Sequence, residues 1–244
     1  MSKDAITVKD LHISYRTLKG FSIKKSLLKM KMSKSEVFEA VRGVTFSVEK
    51  GKILGIIGKN GSGKSTMLRS IAGIFSPDSG TIDLHGNSVS LLSIGVGFQN
   101  KLTGYENIFL SGMLLGFSEK QIKERVNEII EFSELGKFIY KPVSSYSSGM
   151  YSKLAFSITA ILETDIMLID EVFSVGDVKF KEKSYNKMKE LISDENRTVV
   201  IVSHSLGTLK ELCNEVLWLH DGKIKQIGDP EEVITAYEEF MKKD

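Results

Sequence analysis

Residues 53–66 read Ile53-Leu54-Gly55-Ile56-Ile57-Gly58-Lys59-Asn60-Gly61-Ser62-Gly63-Lys64-Ser65-Thr66, an apolar run followed by a glycine-rich turn that ends on Lys-Ser-Thr. The helix-like Met67-Leu68-Arg69-Ser70-Ile71-Ala72 comes next, so the order is strand, loop, helix. The spacing G-x-x-x-x-G-K-[ST] at such a junction cradles phosphate. Its glycines let backbone N–H groups turn inward onto phosphate oxygens, and the helix N-terminus adds the positive end of a dipole. Gly58, Lys59, Asn60, Gly61, Ser62, Gly63, Lys64, Ser65 and Thr66 are therefore candidate nucleotide ligands. Lys64 would neutralise the β- and γ-phosphates, and Ser65 would hold Mg2+.

Composition narrows what surrounds this loop. A chain of 244 residues with 41% hydrophobic residues has enough apolar surface for a large core. The net charge of +2 gives no global field that would mark a nucleic-acid binder, so nucleic acid is not an expected partner. One cysteine, Cys213, allows no internal disulfide. The N-terminal residues Met1 to Thr7 show no apolar stretch of the secretory type, and Leu110 to Phe117 is too short to cross a bilayer. With 3 prolines and no low-complexity linker, the expectation is one unit over residues 1–244 without a detachable module.

Outward from the loop, the pattern alternates between strand and helix. Ile6 to Tyr15 and Val44 to Val48 read as strands. Between them, from about Thr17 to Val37, lies a basic amphipathic insertion: Lys19, Lys24, Lys25, Lys29, Lys31 and Lys34 against Glu36, interleaved with Phe21, Leu27, Leu28, Met30 and Met32. Thr81 to Leu84 and Val89 to Leu92 read as short strands, and helical periodicity runs from Tyr105 to Phe117 and from Ser118 to Phe132, the latter opened by Ser118 with Gln121 as a capping box. These helices and one from about Tyr151 to Leu162 predict a helical subdomain over about residues 100–163. Ile166 to Ile169 and Val199 to Val202 are unbroken apolar runs, as parallel strands covered on both faces are. A hairpin about Asp221-Gly222 and a last helix capped by Asp229 and Pro230 complete an α/β chain with a mainly parallel, doubly wound sheet.

Further chemistry falls at strand ends. Asp170 and Glu171 follow the run Ile166 to Ile169, at the carboxyl edge where ligands bind in open α/β sheets. Asp170 can reach Mg2+, and Glu171 can orient and deprotonate a water facing the γ-phosphate. His204 ends the next buried strand, where an imidazole could hydrogen-bond the γ-phosphate. The amide of Gln99, after the glycines Gly95 and Gly97, can contact Mg2+ or the attacking water. Tyr146-Ser147-Ser148-Gly149-Met150, small and polar at a helix start, makes a second anion site. Two phosphate-binding helix ends in one chain are explained if two copies pair head to tail.

Taken in order, the phosphate loop, Gln99, Tyr146 to Met150, Ile166 to Glu171, Ser174-Val175-Gly176-Asp177 and His204 resemble the Walker A, Q-loop, signature, Walker B, D-loop and switch histidine of ABC transporter nucleotide-binding domains. The resemblance covers essentially the whole chain. It implies a P-loop NTPase fold with an antiparallel β subdomain and a helical subdomain. It also implies a head-to-tail dimer with two ATP at the interface, each between the Walker A of one copy and Ser147, Ser148 and Gly149 of the other, with Asp177 near the nucleotide. Tyr15 matches the aromatic that stacks on adenine, and Phe38 is its rival.

The forms YSSGM, GVGFQNKLTGYEN and DEVFSVGD look like the ATPase subunits of bacterial polysaccharide exporters. That resemblance implies an ATPase on the cytoplasmic face of the cytoplasmic membrane, bound to two permease subunits and moving a lipid-linked glycan such as O-antigen or teichoic acid. A drug or lipid exporter subunit is the alternative, and a soluble non-transport ATPase a more distant one. The C-terminal carbohydrate-binding β-domain that some such subunits add is not expected here. The lysine-rich insertion is expected to meet the anionic membrane surface, the substrate or the permease.

Overall fold

The computed structural model describes residues 3–17, 36–92, 97–170 and 177–243. Strands β1 (Asp4–Thr17) and β2 (Glu36–Glu49) pair antiparallel, from Asp4 opposite Glu49 to Thr17 opposite Glu36. Ile6 and Val8 are buried, and so are Leu11 and Ile13, although a strict two-residue alternation would turn the second pair outward. The register shifts between Val8 and Leu11, where Asp10 takes a left-handed φ of 46° and donates its N–H to Thr45 Oγ1 at 2.9 Å. This bulge resets the alternation and keeps one face apolar.

The ladder also corrects the bounds of the insertion. Arg16 pairs with Val37 and Thr17 with Glu36, so both ends of the expected 17–37 segment are strand and the second strand starts well before Val44. The lysines of that segment fall in residues 18–35, outside the described residues. Strand pairing is backbone chemistry, which the basic side chains of the sequence do not reveal.

Strand β3 (Ile53–Ile57) leads into helix α1 (Lys64–Ile71). The two short strands that follow lie in different sheets. β4 (Ser79–Asp83) pairs with β1 in the three-stranded sheet β2-β1-β4, whereas β5 (Val89–Leu92) is an edge of a six-stranded sheet. His85 and Gly86, both with positive φ, turn the chain from one to the other.

Three helices then pack together: α2 (Gly104–Leu114), α3 (Glu119–Ser133) and α4 (Ser148–Ile161). Both bonds of the Ser118–Gln121 capping box are present, and Thr103 with Glu106 forms a second box at α2. The apolar faces of these helices share their own cluster, with Ile108, Ile122, Ile129, Leu154 and Ile158 almost fully buried.

The rest of the chain builds the main sheet: β6 (Ile166–Asp170), α5 (Val178–Ile192), β7 (Thr198–Val202), α6 (Leu206–Leu212), β8 (Glu215–His220), β9 (Lys223–Gly228) and α7 (Pro230–Lys243). Its order is β5-β6-β7-β3-β8-β9, parallel except for the β8–β9 hairpin. Asp229 Oδ1 accepts from Glu231 N at 2.9 Å, capping α7 behind Pro230 as the sequence predicts.

The unbroken apolar runs have a direct cause. Ile166, Leu168, Val200, Val202 and Leu217 face a cluster shared with β1, β2 and α1, while Met167, Ile169, Val199, Ile201 and Trp218 face one shared with α5 and α7. Each such side chain contributes roughly 1.5–3 kcal/mol on burial, so a polar residue at either parity is costly. Because β3, β6 and β7 run parallel, Gly58, Asp170 and His204 all emerge at one edge of the sheet.

Candidate functional site

The loop after β3 has a shape that only glycine permits at two points. Gly58 and Gly63 take φ of 152° and 102°, and a Cβ on either would strike backbone oxygen, that of Leu219 for Gly58 and that of Ala40 for Gly63. Gly63 stands at the N-cap of α1 and gives it no side-chain cap, so the first N–H groups of the helix stay available to an anion. Lys64 is only 5% exposed, and its Nζ donates to the carbonyls of Gly58 at 2.8 Å and Lys59 at 3.1 Å. Its ammonium is thereby folded into the loop. Ser62 Oγ is buried there with no protein partner. The loop opens on a cavity of about 180 Å³ lined by Phe38, Asn60, Gly61, Lys64, Ser65 and Thr66.

Ser65 Oγ donates to Asp170 Oδ1 at 3.0 Å, so the end of β6 and the phosphate loop meet. Tyr15 and Phe38, the two aromatic candidates, are cross-strand partners. Phe38 lines the loop cavity and is half exposed, whereas Tyr15 donates its hydroxyl to Thr66 Oγ1 at 3.1 Å and sets its ring edge-on to Phe75. His204 lies exposed just past the end of β7. Glu171, together with Ser174, Val175 and Gly176, lies outside the described residues.

Gln99 is held through its backbone: its N–H donates to Asn107 Oδ1 at 2.8 Å and its carbonyl accepts from Asn107 Nδ2 at 3.1 Å. The second expected anion site is also a helix start. α4 begins at Ser148 rather than near Tyr151, because Ser147 Oγ caps it by accepting from Met150 N at 3.2 Å. Ser148 and Gly149 are therefore first-turn residues. Ser147 and Ser148 border a cavity of about 410 Å³ with Asn100, Tyr146 and Tyr151.

Asp177 caps α5 by accepting from Phe180 N at 3.1 Å and pairs with Lys153 Nζ at 2.7 Å. The Lys153 hydrogen bond, and then that of Phe180, hold its carboxyl below the usual range. Lys153 also lies 3.7 Å from Glu134, which pairs with Lys183 at 3.1 Å, so one network ties α3, α4 and α5. Asn107 and Lys153 are the contributors that sequence reasoning misses. The Asn107–Gln99 and Lys153–Asp177 contacts lie eight or more positions apart along the chain, and no local pattern signals them.

The described residues contain no cluster of three or more His, Cys, Asp or Glu side chains suited to a metal ion. A Mg2+ brought in by phosphates would need only one or two protein oxygens beside water. The Ser65–Asp170 pair is such a donor set.

Comparison with known proteins adds kinship to this geometry. Residues 41–174 match the family described as ABC transporter. The O-antigen export system ATP-binding protein RfbB of Myxococcus xanthus is 41% identical over 98% of this chain and 57% of its own length. The teichoic acids export ATP-binding protein TagH of Bacillus anthracis is 45% identical over 85% of this chain and 38% of its own length. The chain thus spans about half the length of these two relatives. Among solved structures, a dimeric ATP-binding cassette in a post-hydrolysis state, bound to ADP and Pi, superposes with a TM-score of 0.69 at 21% identity, over 92% of this chain and 98% of its own. At that identity the likeness speaks for the fold.

Proposed function

Because the chain belongs to the ABC transporter family, we propose that it is the ATP-hydrolysing, energy-coupling subunit of an exporter that moves lipid-linked polysaccharide, of O-antigen or teichoic-acid type, across the cytoplasmic membrane. The observation that carries the ATPase reading is the 3.0 Å bond from Ser65 to Asp170, which joins the phosphate loop to the acidic strand end. The names of the relatives, O-antigen and teichoic acids export ATP-binding proteins, support the substrate class.

In this reading Lys64 turns from its loop carbonyls to the β- and γ-phosphate oxygens of ATP, and the N–H groups at the start of α1 hold the phosphate chain. Ser65 and Asp170, with the Gln99 amide, hold the cation; Mg2+ when bound neutralises charge on the phosphates. Glu171 accepts a proton from the attacking water, and His204 donates a hydrogen bond to a γ-phosphate oxygen. Phe38, on the cavity wall, stacks on adenine in preference to Tyr15, whose hydroxyl is tied to Thr66. Ser148 and Gly149, with Ser147 shaping their turn, serve the nucleotide of a second copy, and Asp177 is tied to the same helix through Lys153.

The assembly is two such subunits on two permease subunits at the cytoplasmic face. Among the described residues no helix is long and apolar enough to cross a membrane; in this reading the permease supplies the path. The test has two arms. Glu171→Gln should bind ATP yet fail to turn it over, accumulating a nucleotide-trapped dimer, while Lys64→Ala should lose ATP affinity. Wild-type turnover in Glu171→Gln would remove the base assignment. For the substrate, cells deprived of the chain should retain lipid-linked glycan on the cytoplasmic side, and unchanged surface glycan would refute the exporter reading.

A further inference from the structure

Asn107, on the second turn of α2, is fully buried, and its side chain is directed wholly at the loop that carries Gln99. Its Oδ1 accepts from Gln99 N at 2.8 Å, and its Nδ2 is within donor range of the carbonyls of Gln99 at 3.1 Å, Leu102 at 3.3 Å and Thr103 at 2.8 Å. Two of these bonds go to the N–H and the C=O of one residue, the pairing that a neighbouring strand would provide. Gln99 belongs to no strand or helix, and Gly97, two residues before it, has a φ of 79°. The amide of Asn107 therefore does for Gln99 what regular secondary structure does elsewhere.

The holder is itself anchored. Thr103 and Glu106 exchange the reciprocal bonds of a capping box at the start of α2, and Thr103 O also accepts the backbone N–H of Asn107 at 3.0 Å. Loop and helix start thus move as one body, and a shift of α2 carries the backbone of Gln99 with it. We propose that Asn107 is the positioning residue that sets where the Gln99 amide stands relative to the metal and the attacking water, and so links the placement of α2 to hydrolysis. The inference rests on the role given to Gln99 in the proposed function. Asn107 itself touches no reacting atom.

The test compares wild type, Gln99→Ala, Asn107→Ala and the double variant by kcat, by the Mg2+ concentration for half-maximal ATPase, and by ATP affinity in EDTA. Asn107→Ala should lower kcat by about tenfold or more, the scale of loss from a misplaced catalytic group, and raise the Mg2+ requirement. Metal-free ATP affinity should stay within about twofold, since the phosphate loop is untouched. The double variant should be no slower than Gln99→Ala alone. If Asn107→Ala proves unfolded by circular dichroism, Asn107→Asp carries the test, because it keeps the shape and the acceptor to Gln99 N. Its carboxyl donates to the loop carbonyls only when protonated, so its deficit relative to wild type should shrink as pH falls. Multiplicative losses in the double variant, or an unimpaired kcat in a folded Asn107 variant while Gln99→Ala is impaired, would overturn the positioning role. A fully active Gln99→Ala would instead overturn the role of Gln99, and the inference with it.

Discussion

Gly63 shows how much one missing methyl group matters. Its φ of 102° is open to glycine, and the oxygen of Ala40 fills the place where a Cβ would go. Gly63→Ala would have to move both the start of α1 and β2, each of which meets the phosphate cavity. Loss of ATP binding with a melting temperature still in reach of a folded protein is the expected result, read by nucleotide titration; unchanged affinity would mean that the loop reshapes freely. Cys213 makes the opposite case. Burial pushes its thiol up to about 12, so at pH 8 only about one thiol in ten thousand is ionised. Alkylation should therefore be slow in the native protein and fast in denaturant, and rapid native labelling would show that the β3–α6 packing opens readily. The two residues differ in legibility: the G-x-x-x-x-G-K-S spacing announces Gly63, while the Sγ of Cys213 packs against Gly55 of β3, which lies far from it in sequence.

Elements were legible where the reason for their pattern is local. Ile166 to Ile169 and Val199 to Val202 are apolar throughout because both sheet faces are covered, and that shows in the residues themselves. The pairing of Thr17 with Glu36 was not legible, since a backbone ladder carries polar side chains as readily as apolar ones. Nor was the early start of α4, because Ser147-Ser148-Gly149 reads as loop until the cap bond from Met150 is seen. The Lys153–Asp177 bridge belongs to this scale, joining the helix that begins at Ser148 to the start of α5. Asp177 closes the connection from Asp170 to α5, in which Glu171 lies. If the bridge fixes that connection, Lys153→Met and Asp177→Asn should slow ATP turnover by similar factors, and combining them should cost nothing more. The pair also sets a pH sense. The carboxyl of Asp177 is depressed in the folded state, so its contribution is present above the ordinary aspartate range and is lost as pH falls through the folded value. Turnover of wild type should therefore become less sensitive to Lys153→Met in acid, and an equal deficit at every pH would count against the bridge.

At the scale of the whole molecule, the chain holds two helix starts proposed to bind phosphate, α1 behind the phosphate loop and α4 behind Ser147, rooted in different apolar clusters. One phosphate loop and one Ser147-capped helix start per chain is the complement that a two-fold pair needs to build two identical composite sites. Mixing provides a decisive measurement. A Lys64→Ala chain keeps its α4 end, and a Ser148→Arg chain keeps its phosphate loop. Either alone forms dimers in which every site is half broken, and should be nearly inactive. Mixed in equal amounts, half of the dimers are heterodimers, and each of those holds one site with both halves intact. Recovered ATPase should therefore approach about a quarter of the wild-type value if the two sites fire independently, and should fall below it if they fire only together. No recovery, with heterodimers demonstrated by differently sized tags and with ATP-dependent crosslinking that joins Ser148 to Lys64 of its own chain, would mean that Ser148 serves the phosphate loop of its own chain. The two helix starts would then belong to one site, and the head-to-tail assembly would lose its physical motive.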